Sequence, residues 1–122
     1  MKSLEYTIEI AAPREKVWKI LWDDQSYRDW TRVFHEGSYA VSDWKEGSRI
    51  HFLTADGRGM YSTIAKLVPN EFMSFVHHGE IVGFEEVPSN EKTKSWEGGV
   101  ENYTLSESNG VTTLVVYHDT VA

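Results

Sequence analysis

The sequence predicts an α+β domain: one β-strand, two short helices, then a meander that brings the antiparallel strand count to six or seven. Three observations carry that prediction. Apolar residues alternate from Leu4 to Ile10 (Leu4, Tyr6, Ile8 and Ile10 against Glu5, Thr7 and Glu9), the period of a half-buried strand. Beyond Pro13 the period lengthens, with Val17, Ile20 and Leu21 at helical spacing and Trp18 and Trp22 widening the stripe. From Glu36 onward, short apolar runs are separated by turn residues, and no further long amphipathic stripe follows.

The elements follow in order. Helix one is expected from Pro13 to Trp22, with Pro13 at its first position, where a missing N–H leaves no donor unmet. On this stripe Trp18 is expected to be buried against the sheet. The helix ends at Asp23-Asp24, two carboxylates that a helix junction uses as caps more readily than as metal ligands. Asp24 or Ser26 caps a second helix over Tyr27 to Val33, with Tyr27, Trp30 and Val33 or Phe34 on one face. Strands are expected over Ser38 to Asp43, Arg49 to Thr54, Met60 to Val68, and Glu71 to His78 with an extension through Ile81-Val82. Trp44 to Ser48, the Asp56-Gly57 hairpin signal and Pro69-Asn70 separate them. Residues 83–98 read as a long polar loop in which Ser89 caps a single helical turn through Trp96. Glu101 to Ser106 and Val111 to Asp119, joined at Glu107-Ser108-Asn109-Gly110, close as a hairpin.

Composition limits the functions. Residues 1–122 show no repeat, low-complexity segment or Pro/Gly/Ser linker, so one domain is expected. Cysteine is absent, which removes disulfides, thiolate metal sites and cysteine nucleophiles. A net charge of −7 with scattered Lys and Arg argues against nucleic acid and against an anionic membrane surface as partners. The first residues, Met1-Lys2-Ser3-Leu4-Glu5, carry no apolar h-region, and no window approaches the length of a membrane span. The expected location is cytoplasmic, and the glycosylation triplet Asn102-Tyr103-Thr104 is then accidental. Aromatic content of 13%, with five tryptophans, calls for a large core or an aromatic-lined cavity.

Several short motifs, in order and spacing, resemble one family. They are the opening Ile8-x-Ile-Ala-Ala-Pro-x-x-x-Val-Trp18, then Trp30, then Trp44-Lys45-Glu46-Gly47-Ser48, Gly59, and Val68-Pro69-Asn70-Glu71. The hairpin Glu101-x-Tyr-Thr-Leu105 with Gly110-x-Thr-Thr-Leu-x-Val116 completes the set. The chain is identified on these motifs as similar to the START-like, helix-grip (SRPBCC) superfamily, in the branch resembling the Hsp90-ATPase-activator homology domain. The resemblance implies a curved antiparallel sheet gripping a long C-terminal helix, with an apolar cavity between them. In that family the helix follows the last strand, whereas this chain stops at Thr120-Val121-Ala122. The expectation is therefore a closing element supplied by a longer polypeptide, or self-association through the uncovered concave face.

The family shares no catalytic motif, so the chemistry must be read from the residues. Alternation puts Leu114, Val116 and His118 on one face of the last strand, with Tyr103 and Leu105 beside Leu114 and Thr112, and Glu101 near Val116 and His118. Glu101 and His118 are the weak candidates for acid–base work; the competing reading is a rim pair that satisfies itself or water. His77 and His78 point to opposite faces and cannot chelate one metal together, while His51 is expected to face out. A site of His77 or His78 with His118 and Glu101 has no spacing signature, and neither a metal nor a cofactor is expected. Trp18, Trp22, Trp30, Phe34, Phe52, Phe75, Phe84 and Tyr103 are candidates to line a pocket, with ordinary core as the alternative. The residues favoured for ligand binding are Phe75, His77, Tyr103, Leu114, Val116 and His118. The leading expectation is a non-enzymatic domain that binds an apolar or aromatic small molecule. The alternatives are a chaperone-associated, Hsp90 activator-like interaction protein, and a cyclase- or hydrolase-like enzyme using Glu101 and His118.

Overall fold

The chain leaves the sheet where its hydrophobic period changes. In the computed structural model, which describes residues 2–32, 37–88, 90–94 and 97–120, strand β1 (Lys2–Ile10) turns through Ala12 into helix α1 (Arg14–Trp22). Pro13 is extended, with φ −68° and ψ 153°, so it stands just before the helix and not at its first position. Its ring offers no cap. The Arg14 N–H instead donates to the Glu107 carboxylate at 2.9 Å, from a strand 93 residues away.

Helix α1 buries Val17, Leu21 and Trp22. The two tryptophans pull the buried arc to their side, and Ile20, about 60° beyond Val17 on the other side, is left exposed. Trp18, expected to be buried, is half-buried, and Trp22 takes the central place. Helix α2 (Asp24–Thr31) follows at once, burying Tyr27 and Thr31, with the Trp30 indole donating to the Leu21 carbonyl at 3.2 Å. Neither aspartate caps it through its side chain: Asp23 accepts the Tyr27 N–H on its backbone carbonyl, and Asp24 pairs with Arg28 one turn on. Val33 and Phe34 lie outside the described residues.

The remaining elements are β2 (Tyr39–Ser42), β3 (Arg49–Leu53), β4 (Gly59–Val68), β5 (Phe72–Val82), β6 (Glu85–Glu86), α3 (Glu91–Lys94), β7 (Val100–Ser108) and β8 (Val111–Thr120). The antiparallel sheet runs β1-β8-β7-β5-β4-β3-β2, with the two-residue β6 beside the end of β5. The polar loop over 83–98 thus holds a scrap of strand and one helical turn; Ser89 and Trp96, the expected cap and end of that turn, lie outside the described residues. Asn109 and Gly110 both have positive φ (53° and 76°), which makes a two-residue turn and lengthens both strands of the last hairpin beyond their expected limits. Register shifts in the β4–β5 ladder bend this open, curved sheet.

Two helices cover only part of the concave face. Beneath them Ile50, Ile64 and Phe75 have no exposed surface. At the other end Leu4, Tyr6 and Ile8 of β1 stand beside His118, Val116 and Leu114 of β8 and are 41%, 52% and 49% exposed.

Candidate functional site

Strands β4, β5 and β7 bring four polar side chains together on the concave face. On β5 the inward positions are Met73, Phe75 and His77, so His77 points in and His78 points out. Ser62 of β4, without exposed surface, lies 2.7 Å from His77 Nδ1. His77 Nε2 lies 3.3 Å from Glu101 Oε1, and the Tyr103 hydroxyl donates to Glu101 Oε2. An ionised carboxylate only accepts, so Nε2 carries the proton, and with a neutral ring the Ser62 hydroxyl donates to Nδ1. The line Ser62–His77–Glu101–Tyr103 is thus one directed network ending on the carboxylate.

Burial by itself would push the Glu101 carboxyl up. Hydrogen bonds from His77 and Tyr103, together with the imidazoles of His77 and His118, outweigh it and hold the group below the usual glutamate range. Burial, reinforced by the Glu101 charge, pushes the Tyr103 hydroxyl well up, and Tyr27 is raised for the same two reasons. Both phenols stay protonated donors at neutral pH. Glu101 and His118 are opposed across the β7–β8 ladder as expected, but the carboxylate's hydrogen bonds go to His77 and Tyr103. His118 stacks on Tyr6, with ring centroids 5.8 Å apart.

Above this network lies a cavity of about 1030 Å³ between sheet and helices. Leu21, Trp22, Tyr27 and Trp30 wall it from the helices. Of the residues favoured for ligand binding, Phe75, Tyr103, Leu114, Val116 and His118 line it; His77 does not, and sits behind Glu101. Trp22 organises the wall, meeting Tyr103 and Phe75 edge to face at 4.9 and 5.4 Å. Phe52 also lines the cavity, and the Trp22 indole N–H is a buried donor without an acceptor among the described residues. Two aromatic candidates are elsewhere. Trp18 borders a shallower groove with Trp44 and Leu67, and Phe84 is exposed, its ring lying where a side chain on Gly57 would have to go.

The residues that sequence reasoning missed are Ser62 and, on the cavity wall, Tyr27. Ser62 stands two positions before the buried Ile64, so the alternation of β4 was a signal for it. Ser62, His77 and Glu101 are the residue types of a hydrolytic triad, but Ser62 is sealed beneath His77 and presents nothing to a ligand. Its part is to hold the imidazole that holds Glu101. No cluster of three metal-ligating side chains occurs among the described residues. His78 is on the outer face against Thr63 at 2.7 Å, its pKa lowered by burial and then by the Arg49 charge. His51 faces out as well, 2.7 Å from Glu86. Among the described residues, no helix is long and apolar enough to cross a membrane.

Comparison with known proteins adds a family. The model of "Activator of Hsp90 ATPase homolog 1-like protein" matches residues 11–122. Among curated proteins no relative matches. The fold is similar to that of the Aha1 dimer from Colwellia psychrerythraea (TM-score 0.72, 23% identity, 100% of this chain and 78% of that one). It is similar to protein MLL2253 from Mesorhizobium loti (TM-score 0.74, 15% identity, 99% and 78%). A third is PFC0360w, an HSP90 activator from Plasmodium falciparum (TM-score 0.67, 15% identity, 100% and 75%).

Proposed function

Because this chain belongs to the family of activator of Hsp90 ATPase homolog 1-like proteins, we propose that it works as a START-like binding domain, holding an apolar or aromatic small molecule between sheet and helices. One observation carries the reading: a cavity of about 1030 Å³ that is walled by aromatic and aliphatic side chains and has one pinned carboxylate in it. Ligand sites of about 300–1,000 Å³ with few, fixed polar groups are the common form of small-molecule pockets. Phe75, Tyr103, Leu114, Val116 and His118 form the sheet side of the site, and His77 supports it from behind through Glu101. We read the domain as a binder and not a catalyst, since His77 and Tyr103 hold Glu101 as a fixed, ionised acceptor and the serine is sealed.

Titration with the neutral fluorophore N-phenylnaphthylamine tests this. Saturable binding is expected, and Val116→Trp, which fills the cavity from β8, should abolish it in a protein that still unfolds cooperatively. Unchanged affinity in that variant would remove the site from this cavity. An Hsp90 activator-like interaction is the second reading, favoured by the exposed apolar residues Leu4, Tyr6 and Ile8, which offer a surface for a protein partner. Stimulation of the chaperone's ATP hydrolysis by the purified chain is its measurement.

A further inference from the structure

We infer that the cavity selects ligands by charge: its occupant is an apolar molecule with a single cationic, amine-type head, seated on Glu101. This rests on the cavity being a ligand site and adds what that ligand must carry. The acceptor capacity comes first. Each oxygen of Glu101 receives one protein donor, from His77 and from Tyr103, whereas a carboxylate has about four acceptor positions. The unused positions belong to a side chain that keeps 23% of its surface accessible and borders the cavity. Orientation comes second. Ser62 fixes His77, and His77 and Tyr103 fix the carboxylate, so no side-chain freedom is lost when a donor arrives.

The charges around the cavity point the same way. Among the described residues no lysine or arginine lines it; the charged or titratable groups that do are Glu101, Glu5 on the β1 rim, His118, and the tyrosines 6, 27 and 103. The whole chain carries −7, so an anionic head meets repulsion both at a distance and on arrival. A cation meets the carboxylate at reduced dielectric, with the rings of Trp22, Tyr27 and Tyr103 lining the same cavity. Among the described residues that line the cavity, His118, opposite Glu101 across the ladder, is the one that can carry positive charge; when protonated it competes with the ligand's head.

Three probes with one apolar body separate head from body: naphthylmethylamine, naphthylmethanol and naphthoate, measured by calorimetry at neutral pH. The amine should bind tightest and naphthoate weakest, with a gap of about tenfold or more for a partly desolvated charge pair. Glu101→Gln should bring the amine down to the level of the alcohol. Since that variant also disturbs the network, wild-type protein gives an independent reading: added salt should weaken the amine and leave the alcohol unchanged. If the alcohol binds and naphthoate equals or exceeds the amine, or if the amine ignores salt, selection by charge is wrong while the cavity remains a ligand site. If none of the three binds, the cavity reading itself falls.

Discussion

The concave face of this sheet has two ends of similar chemistry and opposite fate. Under α1 and α2, Ile50, Ile64 and Phe75 are fully buried. Along β1 and its neighbour β8, Leu4, Tyr6 and Ile8 are equally apolar and stay roughly half exposed, because among the described residues no element lies over them. The difference teaches that an inward-pointing apolar residue contributes to stability only when a second layer meets it. Glu101 and Val116 stand near the boundary, where the covered end makes the site rigid and the open end keeps it accessible.

The largest effect that could break this comparison is on the covered side. Phe75→Ala should cost about 3–5 kcal/mol in a denaturant series, because Trp22 and Phe52 both lean edge-on against that ring. A loss near that expected for a surface residue would show the covered end to be no core at all. Next is Ser62→Ala, which strands His77 Nδ1 in a buried setting and should cost about 1–3 kcal/mol. Its sharper readout is cavity binding of an amine probe, which should weaken as Glu101 loses its fixed orientation.

Acid exposes the same network. Glu101 is held below its ordinary range in the folded chain, so its contribution to stability is full above the unfolded carboxyl value of about 4.3 and is lost as pH falls through the lower folded value. Urea midpoints followed downward from about pH 6 should fall in that window for the wild type, and less steeply for Glu101→Gln. The smallest effect belongs to the open end. Ile8→Ser should change stability by no more than about 0.5–1 kcal/mol while reducing self-association in sedimentation. A loss on the scale of Phe75→Ala would mean that β1 is covered after all.

Much of this was legible from residue patterns. The change of period after Ile10, the Asp-Gly and Asn-Gly turns and the opposed facing of His77 and His78 are local signals, and each is found as expected. Pairing of Glu101 with His118 followed from one hairpin. The carboxylate's partners did not, because they depend on β7 passing over the two-residue β6 to lie beside β5, which sets Glu101 against Phe75 and next to His77. No periodicity encodes which distant strands become neighbours. The exposure of Ile20 and Phe84 was hidden for a related reason: both are apolar at plausible positions, and only the placement of Trp22 and of the Gly57 turn decides where they go.

The cap on α1 has a consequence for how the chain is made. The Arg14 N–H is met by Glu107, the Ala12 carbonyl accepts from the Thr112 hydroxyl at 2.7 Å, and β1 has its strand partner in β8. Strand β1 and helix α1 therefore leave the ribosome with their fastenings still unsynthesised. At typical elongation rates, about 5–20 residues per second, that delay is on the order of ten seconds. Throughout it an amphipathic segment bearing two tryptophans waits in the open. The β7–β8 hairpin acts as the clasp: folding of β1 and α1 is timed by its arrival.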